Sequence, residues 1–336
     1  MTCLLRVDPR DPDARAVDEA VRVLREGGLV GLPTETVYGL AACALDEAAV
    51  ARIFEAKGRP RTHPLIAHVL DEDDARRLAA LWPHVAHRLA TAFWPGPLTL
   101  VVARALDVPS AVAGGGDSIA VRAPSHAVAR AVLRALGQPI AAPSANRFQG
   151  LSPTTAEHVV RELGHRVDLV LDAGPCEAGI ESTVVDVRAA RCRLLRPGAL
   201  DLPTLRAIVP DVEQGAEALH GDQIRPSPGM QARHYAPRAR VLIASDRARA
   251  EVVAGDLAAQ GQRVGLLVLG PTSCRLSDRL EIRQMSSDAA AYAHALFATL
   301  HALDEVGVDA VVVESVPGED AWLGVADRIR RAACPA

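Results

Sequence analysis

The hydrophobic pattern of this chain changes rhythm once, and that change decides how many folding units it must form. Up to about residue 209, short apolar runs and segments of helical period follow one another without a strict strand–helix–strand beat. Helical spacing runs from Ala14 to Glu26 and stops at Gly27-Gly28, and Leu29–Leu32 reads as a short buried strand. Asp46 is placed to N-cap a helix ending near Ala56. Further strands are expected at Leu98–Ala103, Ile119–Arg122, Ile140–Ala142, Leu169–Asp172, Thr183–Val187 and Arg193–Leu195. Helices are expected at His126–Leu136 and Thr155–Leu163. This mixture predicts an α+β domain on a mixed, twisted sheet over 1–209.

From Pro210 to Arg238 the period lapses into prolines and glycines, so 210–238 reads as a linker. Residues 239–336 then alternate cleanly. Strands are expected at Val241–Ala244, Val264–Leu269, Leu280–Gln284 and Ala310–Val313, with helices at Arg247–Gln260 and Ala289–Leu303. That predicts a smaller C-terminal α/β domain of Rossmann-like rhythm. Its first turn carries no G-x-G-x-x-G, so it is not read as a nucleotide site.

Composition removes several classes of function. No apolar run approaches the roughly 20 residues of a membrane span, and the N-terminus lacks the layout of a signal peptide. The six cysteines are scattered, with no C-x-x-C pair and no zinc-like spacing, which predicts a reduced, cytoplasmic protein. A formal net charge of −4 argues against a nucleic-acid coat. Among 37 basic residues there is a single lysine, Lys57, and the chain's one asparagine is Asn146. An ammonium is a compact point charge and a guanidinium a planar fork, so a lysine retained in an arginine-rich chain points to a task arginine cannot perform.

Four stretches are richer in polar side chains than helix or strand periodicity explains. In Leu32-Pro33-Thr34-Glu35-Thr36-Val37-Tyr38-Gly39-Leu40 the hydroxyls alternate, as one face of an extended segment would present them. Lys57-Gly58-Arg59-Pro60-Arg61-Thr62-His63 sets three cations in a Gly- and Pro-shaped loop, suited to phosphate oxygens. Arg122 and the run Ser144-Ala145-Asn146 sit at or beyond expected strand ends, where sheet domains hold ligands. Ser182 and Arg196 lie at the edges of two further strands. No Walker A loop, nucleophile elbow or H-E-x-x-H helix is present. The residues alone thus predict a polar, cationic cavity for an anionic ligand.

Taken in order, these segments resemble the threonylcarbamoyl-AMP synthase family, with its YrdC-type fold. The likeness rests on Pro33 to Leu40, Lys57 to His68, Ser118 to Pro124, Pro143 to Asn146, Ser152-Pro153-Thr154, Gly179 to Val184 and Leu195-Arg196-Pro197-Gly198. Ser227 through Pro237 resembles the linker of the long, two-domain form. The resemblance implies an L-threonine pocket of Thr36, His68, Arg122 and Ser182, with Arg122 pairing the substrate carboxylate. It implies ATP contacts from Lys57, Arg59, His63, Ser118, Ser144, Asn146, Ser152 and Arg196, and from His234 and Tyr235 in the linker as a lid. His63 replaces the Asn usual in that motif. Lys57 and Arg59 would be the catalytic cations, and Mg²⁺ would be bound mainly through the ATP phosphates rather than by protein ligands.

The implied reaction joins L-threonine, bicarbonate or CO₂ and ATP into threonylcarbamoyl-AMP and pyrophosphate. The product would pass to the machinery that modifies tRNA to threonylcarbamoyl-adenosine, with weak RNA contact as a further implied partner. Two other classes compete with this reading. A carbamoyl-adenylate-forming carbamoyltransferase is disfavoured because neither zinc-finger cysteines nor a fused transferase half is present. A non-catalytic double-stranded RNA-binding module is disfavoured by the acidic balance.

Overall fold

The structure, a computed structural model, describes residues 2–215, 233–272 and 278–334. Of the linker expected over 210–238, residues 216–232 lie outside the described residues. Two compact units emerge: one of Met1–Phe148 and Ser152–Met230, the other of Gln149–Leu151 and Gln231–Ala336. Gln149–Leu151 leaves the first unit because the Gln149 carbonyl accepts a 3.0 Å hydrogen bond from the amide of Ala236.

The first unit is built on strands β1 (Cys3–Arg6), β2 (Val30–Leu32), β3 (Gly39–Cys43), β4 (Ile66–His68), β5 (Ala79–Leu81) and β6 (Leu98–Arg104). It continues with β7 (Ser118–Arg122), β8 (Ile140–Ala141), β9 (Leu169–Asp172), β10 (Thr183–Asp186), β11 (Arg193–Arg196) and β12 (Glu213–Gln214). They form one twelve-stranded sheet in the order β1-β9-β2-β3-β8-β4-β7-β6-β10-β11-β12, with β5 paired to β6. Parallel pairs (β4 with β7, β6 with β10) alternate with antiparallel ones (β7 with β6, β10 with β11), as the irregular sequence rhythm predicts. The stretch after Pro210, expected to be linker, begins with β12, which pairs parallel to β11.

Helices α1 (Ala14–Arg25), α2 (Glu47–Lys57), α3 (Glu72–Leu78), α4 (His84–Phe93), α5 (Ala127–Leu136), α6 (Ala156–Leu163) and α7 (Leu202–Ile208) flank the sheet. The apolar stripe of α1 (Ala16, Val17, Ala20, Val21, Leu24) packs with that of α5 (Val128, Val132, Leu136) and with β2, β3 and β9. Leu24 is fully buried there, and its truncation to Ala would cost about 2–5 kcal/mol. Helix α2 sets up the site. Asp46 caps it by accepting from the amides of Ala48 and Ala49 at 2.9 and 3.1 Å. Gly58 ends it in the left-handed region at φ 64°, which leaves Lys57 as the last helical residue, pointing inward.

The second unit holds β13 (Arg240–Ala244), β14 (Val264–Leu269), β15 (Leu280–Met285) and β16 (Ala310–Glu314) in an all-parallel sheet of order β13-β16-β14-β15. Helices α8 (Arg247–Ala259), α9 (Ala289–Val306) and α10 (Leu323–Ala332) cover it. The clean alternation in the sequence reflects this arrangement, since parallel strands need long crossover connections, usually helical; between β14 and β15 the described residues form no helix.

Candidate active site

Three clusters of buried polar side chains occupy the first unit, each joining segments far apart in the chain. The first is centred on Arg122, the last residue of β7. Its register partner on the parallel neighbour β4 is His68, so the two side chains emerge on one face of the sheet. Arg122 donates from Nε to the Gly96 carbonyl at 3.2 Å and from Nη1 to Thr36 Oγ1 at 2.9 Å. Its Nη2 lies 2.7 Å from Glu35 Oε1, an ion pair with both side chains about 95% buried. Burial pushes the Glu35 carboxyl up, the Arg122 guanidinium outweighs that, and the group stays below its ordinary value. His68 is pulled down to about 3 by burial and, secondarily, by Arg122, so it is neutral at pH 7.

The segment carrying Thr36 is not the extended run its alternating hydroxyls suggest. Thr34 Oγ1 donates to the Val37 carbonyl at 2.6 Å, accepts from the Thr36 amide at 3.2 Å and meets Thr36 Oγ1 at 2.9 Å. A threonine capturing its own backbone in this way makes a turn instead of a strand. Tyr38 points elsewhere: its hydroxyl donates to the Gly174 carbonyl at 2.7 Å.

The second cluster surrounds Lys57. Its Nζ donates to the carbonyls of Ser144 and Asn146, each at 2.5 Å, with Asn146 Oδ1 at 3.4 Å. Burial and then neighbouring Arg59 pull the ammonium well below the usual lysine range. The cation expected to serve phosphate oxygens is thus held by backbone carbonyls, and it clamps the turn bearing Ser144 and Asn146. Arg59 donates to the Pro64 carbonyl at 2.9 Å and lies 5.9 Å from the Phe148 ring, which His63 also meets at 5.3 Å.

The third cluster joins β10, β11 and the Ser152 loop. Arg196 donates from Nε and Nη2 to the Ser182 carbonyl at 3.1 and 2.8 Å, and from Nη2 to Ser182 Oγ at 3.1 Å. Thr99 Oγ1 lies 2.8 Å from the same Ser182 hydroxyl, and Ser152 donates to Glu181 in a very short hydrogen bond. Gly198 permits this packing, because a Cβ there would lie 2.4 Å from the Glu181 carbonyl oxygen.

Backbone bonds knit the clusters together: Tyr38 to Pro153 at 2.9 Å, Ala145 to Tyr38 at 2.8 Å and Ala178 to Glu35 at 2.7 Å. Of the residues singled out in the sequence, Thr36, His68 and Arg122 thus meet, as do Lys57, Ser144 and Asn146, and Ser182 with Arg196. Ser118 opens the strand that Arg122 closes, about 13 Å away along it. His234 and Tyr235 belong to the second unit. There the His234 amide donates to the Arg331 carbonyl at 3.3 Å, and Tyr235, at φ 60°, has the Arg328 guanidinium 5.0 Å from its ring centroid. Sequence reasoning assigned no role to Glu35, Thr99 or Glu181. A carboxylate inside the otherwise apolar or hydroxyl-bearing run 29–44 was the available signal for Glu35.

Known proteins bear out the resemblance. The Sua5/YciO/YrdC family, described as "Telomere recombination", matches residues 22–198, and the family "Threonylcarbamoyl-AMP synthase, C-terminal domain" matches 201–334. The threonylcarbamoyl-AMP synthase of Pyrococcus abyssi is 38% identical over 99% of this chain and 98% of its own length. The chain belongs to the threonylcarbamoyl-AMP synthase family. A second member, from Bacillus subtilis, is 36% identical over 94% of this chain and 92% of its own length. The solved structure of P. abyssi Sua5 complexed with L-threonine superposes with a TM-score of 0.92 at 36% identity, covering 99% of this chain and 98% of that one. Both units of the synthase family are therefore present, and the mixed-sheet fold is the family's. Among the described residues, no helix is long and apolar enough to cross a membrane.

Proposed function

We propose that the chain condenses L-threonine, bicarbonate or CO₂ and ATP into threonylcarbamoyl-AMP and pyrophosphate. The observation that carries this reading is the whole-chain likeness to a synthase solved with L-threonine, at a TM-score of 0.92. The geometry supports it. Arg122 stands at a buried strand end beside the turn that bears Thr34 and Thr36, where it can pair a substrate carboxylate, with Thr36, His68 and Ser182 addressing the amine and hydroxyl. Lys57, through Ser144 and Asn146, together with Arg59, His63, Ser118, Ser152 and Arg196, would hold the nucleotide. His234 and Tyr235 are assigned to ATP on the resemblance alone. The chemistry requires positioning and charge neutralisation rather than a protein nucleophile: a carbamate oxygen attacks the α-phosphate and pyrophosphate leaves.

Mg²⁺ enters this proposal as the counter-ion of ATP. The two buried carboxylates of the region are engaged, Glu35 by Arg122 and Glu181 by Ser152. Among the described residues, no group of three His, Cys, Asp or Glu could hold a metal. The product is an activated carbamate that must be handed to a tRNA-modifying acceptor step, with cytoplasmic location and weak RNA contact as parts of the same proposal. Mass spectrometry after incubation with ATP, threonine, bicarbonate and Mg²⁺ tests it. Threonylcarbamoyl-AMP and threonine-dependent pyrophosphate release are expected. Release driven equally well by carbamoyl phosphate without threonine would refute the reading in favour of a carbamoyl-adenylate enzyme.

A further inference from the structure

Threonine arrives as a zwitterion, and its ammonium has no lone pair with which to attack a carbonyl carbon. A group in the pocket must take a proton before any carbamate can form. We propose that Glu35 is the base that takes the proton from the ammonium group of bound L-threonine. This rests on the synthase reading above.

The argument begins with what Glu35 touches. It is buried to 5% exposure, and the groups that act on its carboxylate are the Arg122 guanidinium and the backbone amides of Glu35 itself and Ser125. Its ion-pair partner is Arg122 Nη2 at 2.7 Å. A carboxylate has about four lone-pair sites, and a buried one that the fold fills only in part is expensive to maintain, which is the mark of a group kept for a ligand. A substrate carboxylate on Arg122 would bind within about 3 Å of the guanidinium nitrogens. Its own ammonium would then stand within reach of the carboxylate already seated on that guanidinium.

The titratable groups facing Glu35 come from four elements. Arg122 lies on β7, His68 on β4, His126 at the start of α5, and Cys176 with Glu177 beside it in the loop before β10. Burial pulls both histidines down and pushes the Cys176 thiol up, so these three are neutral at pH 7. Arg122 is the cation that keeps Glu35 ionised. Burial is the largest single influence on the Glu35 carboxyl, and it acts upward. When a second carboxylate takes a share of Arg122, that upward push is less opposed, and the proton affinity of Glu35 rises. Substrate binding itself thus switches the base on.

The step balances. The ammonium N–H bond breaks, its proton goes to a Glu35 oxygen, and the electron pair stays on nitrogen. That pair forms a C–N bond to bicarbonate, and water leaves, giving the carbamate anion. The Glu35 proton returns to solvent when the product departs.

The test is Glu35→Gln in the full chain, with threonine affinity measured by calorimetry and kcat followed from pH 6.5 to 9.5. Gln keeps the shape and frees Arg122, so threonine affinity should hold or rise. The kcat at pH 7 should fall by about a hundredfold or more. It should recover about tenfold per pH unit as the amine loses its proton unaided, whereas wild type should change far less. Equal losses at every pH, together with lost threonine affinity, would reduce Glu35 to a holder of Arg122 and overturn the proposal, as would a wild-type kcat. If Glu35→Gln does not fold, Glu35→Asp decides: a smaller loss with the same alkaline recovery is expected, and wild-type kcat at every pH overturns. A wild-type enzyme that makes no threonylcarbamoyl-AMP would instead overturn the functional reading beneath it.

Discussion

Replacing Lys57 by Arg should damage both the first unit and its catalysis, although the charge is kept. Nζ sits 2.5 Å from two backbone carbonyls, at Ser144 and Asn146, and the residue is buried. A tetrahedral ammonium can aim separate N–H bonds at both. A planar guanidinium is bulkier and places its nitrogens farther out, so at least one carbonyl loses its donor. An unsatisfied buried acceptor costs about 1–3 kcal/mol. Forcing the larger head into a packed site adds about 1–3 kcal/mol. The sum, about 2–6 kcal/mol, corresponds to a drop of about 5–20 °C in the unfolding midpoint of a unit this size. Catalysis should fall by about tenfold or more in kcat/KM for ATP, because the turn carrying Ser144 and Asn146 is no longer clamped. Thermal unfolding and pyrophosphate release against ATP concentration measure the two effects. A midpoint within about 1 °C of wild type, with unchanged kcat/KM, would show that the lone lysine is an accident of composition.

Three further outcomes are expected. Gly198→Ala should cost about 1–3 kcal/mol in urea unfolding, since the new Cβ would fall 2.4 Å from the Glu181 carbonyl oxygen, and KM for ATP should rise as Arg196 shifts; unchanged stability would mean the loop yields freely. His68 is held at about 3 in the fold against about 6.5 when unfolded, so the unfolded chain takes up the proton first and stability drops as pH falls through that window. Between pH 7 and pH 5 the wild type should lose about 2 kcal/mol more than His68→Gln, and parallel losses would place the histidine in a wetter setting. Arg122→Ala should weaken threonine binding by about 2–5 kcal/mol and leave ATP affinity far less changed; calorimetry showing intact threonine affinity would make the residue structural.

Where local chemistry sufficed, the sequence was a good guide. The stripe from Ala16 to Leu24, the Asp46 cap of α2 and the end of that helix near Ala56 are properties of a few neighbouring residues, and the structure keeps them to within a residue. The alternation after Arg238 foretold a parallel sheet, because parallel strands need long crossover connections and these are usually helical. The short strands β3 and β4 escaped notice, being three to five residues long and lying within or just after polar motifs.

Partnerships across the chain were beyond reach. Lys57 and the carbonyls it clamps are 87 and 89 residues apart, and Arg122 is 86 residues from Thr36. Side-chain type announced that Lys57 and Arg122 had special work, yet not that one holds a turn while the other is shared with Glu35. By itself the sequence determined the two-unit plan, the family and the set of polar residues from which a site could be made. Tertiary structure decided which of them meet, and it turned an alternating hydroxyl run into a turn. Periodicity is set within a few residues by backbone geometry, whereas burial and electrostatic pairing exist only once distant strands have closed on one another.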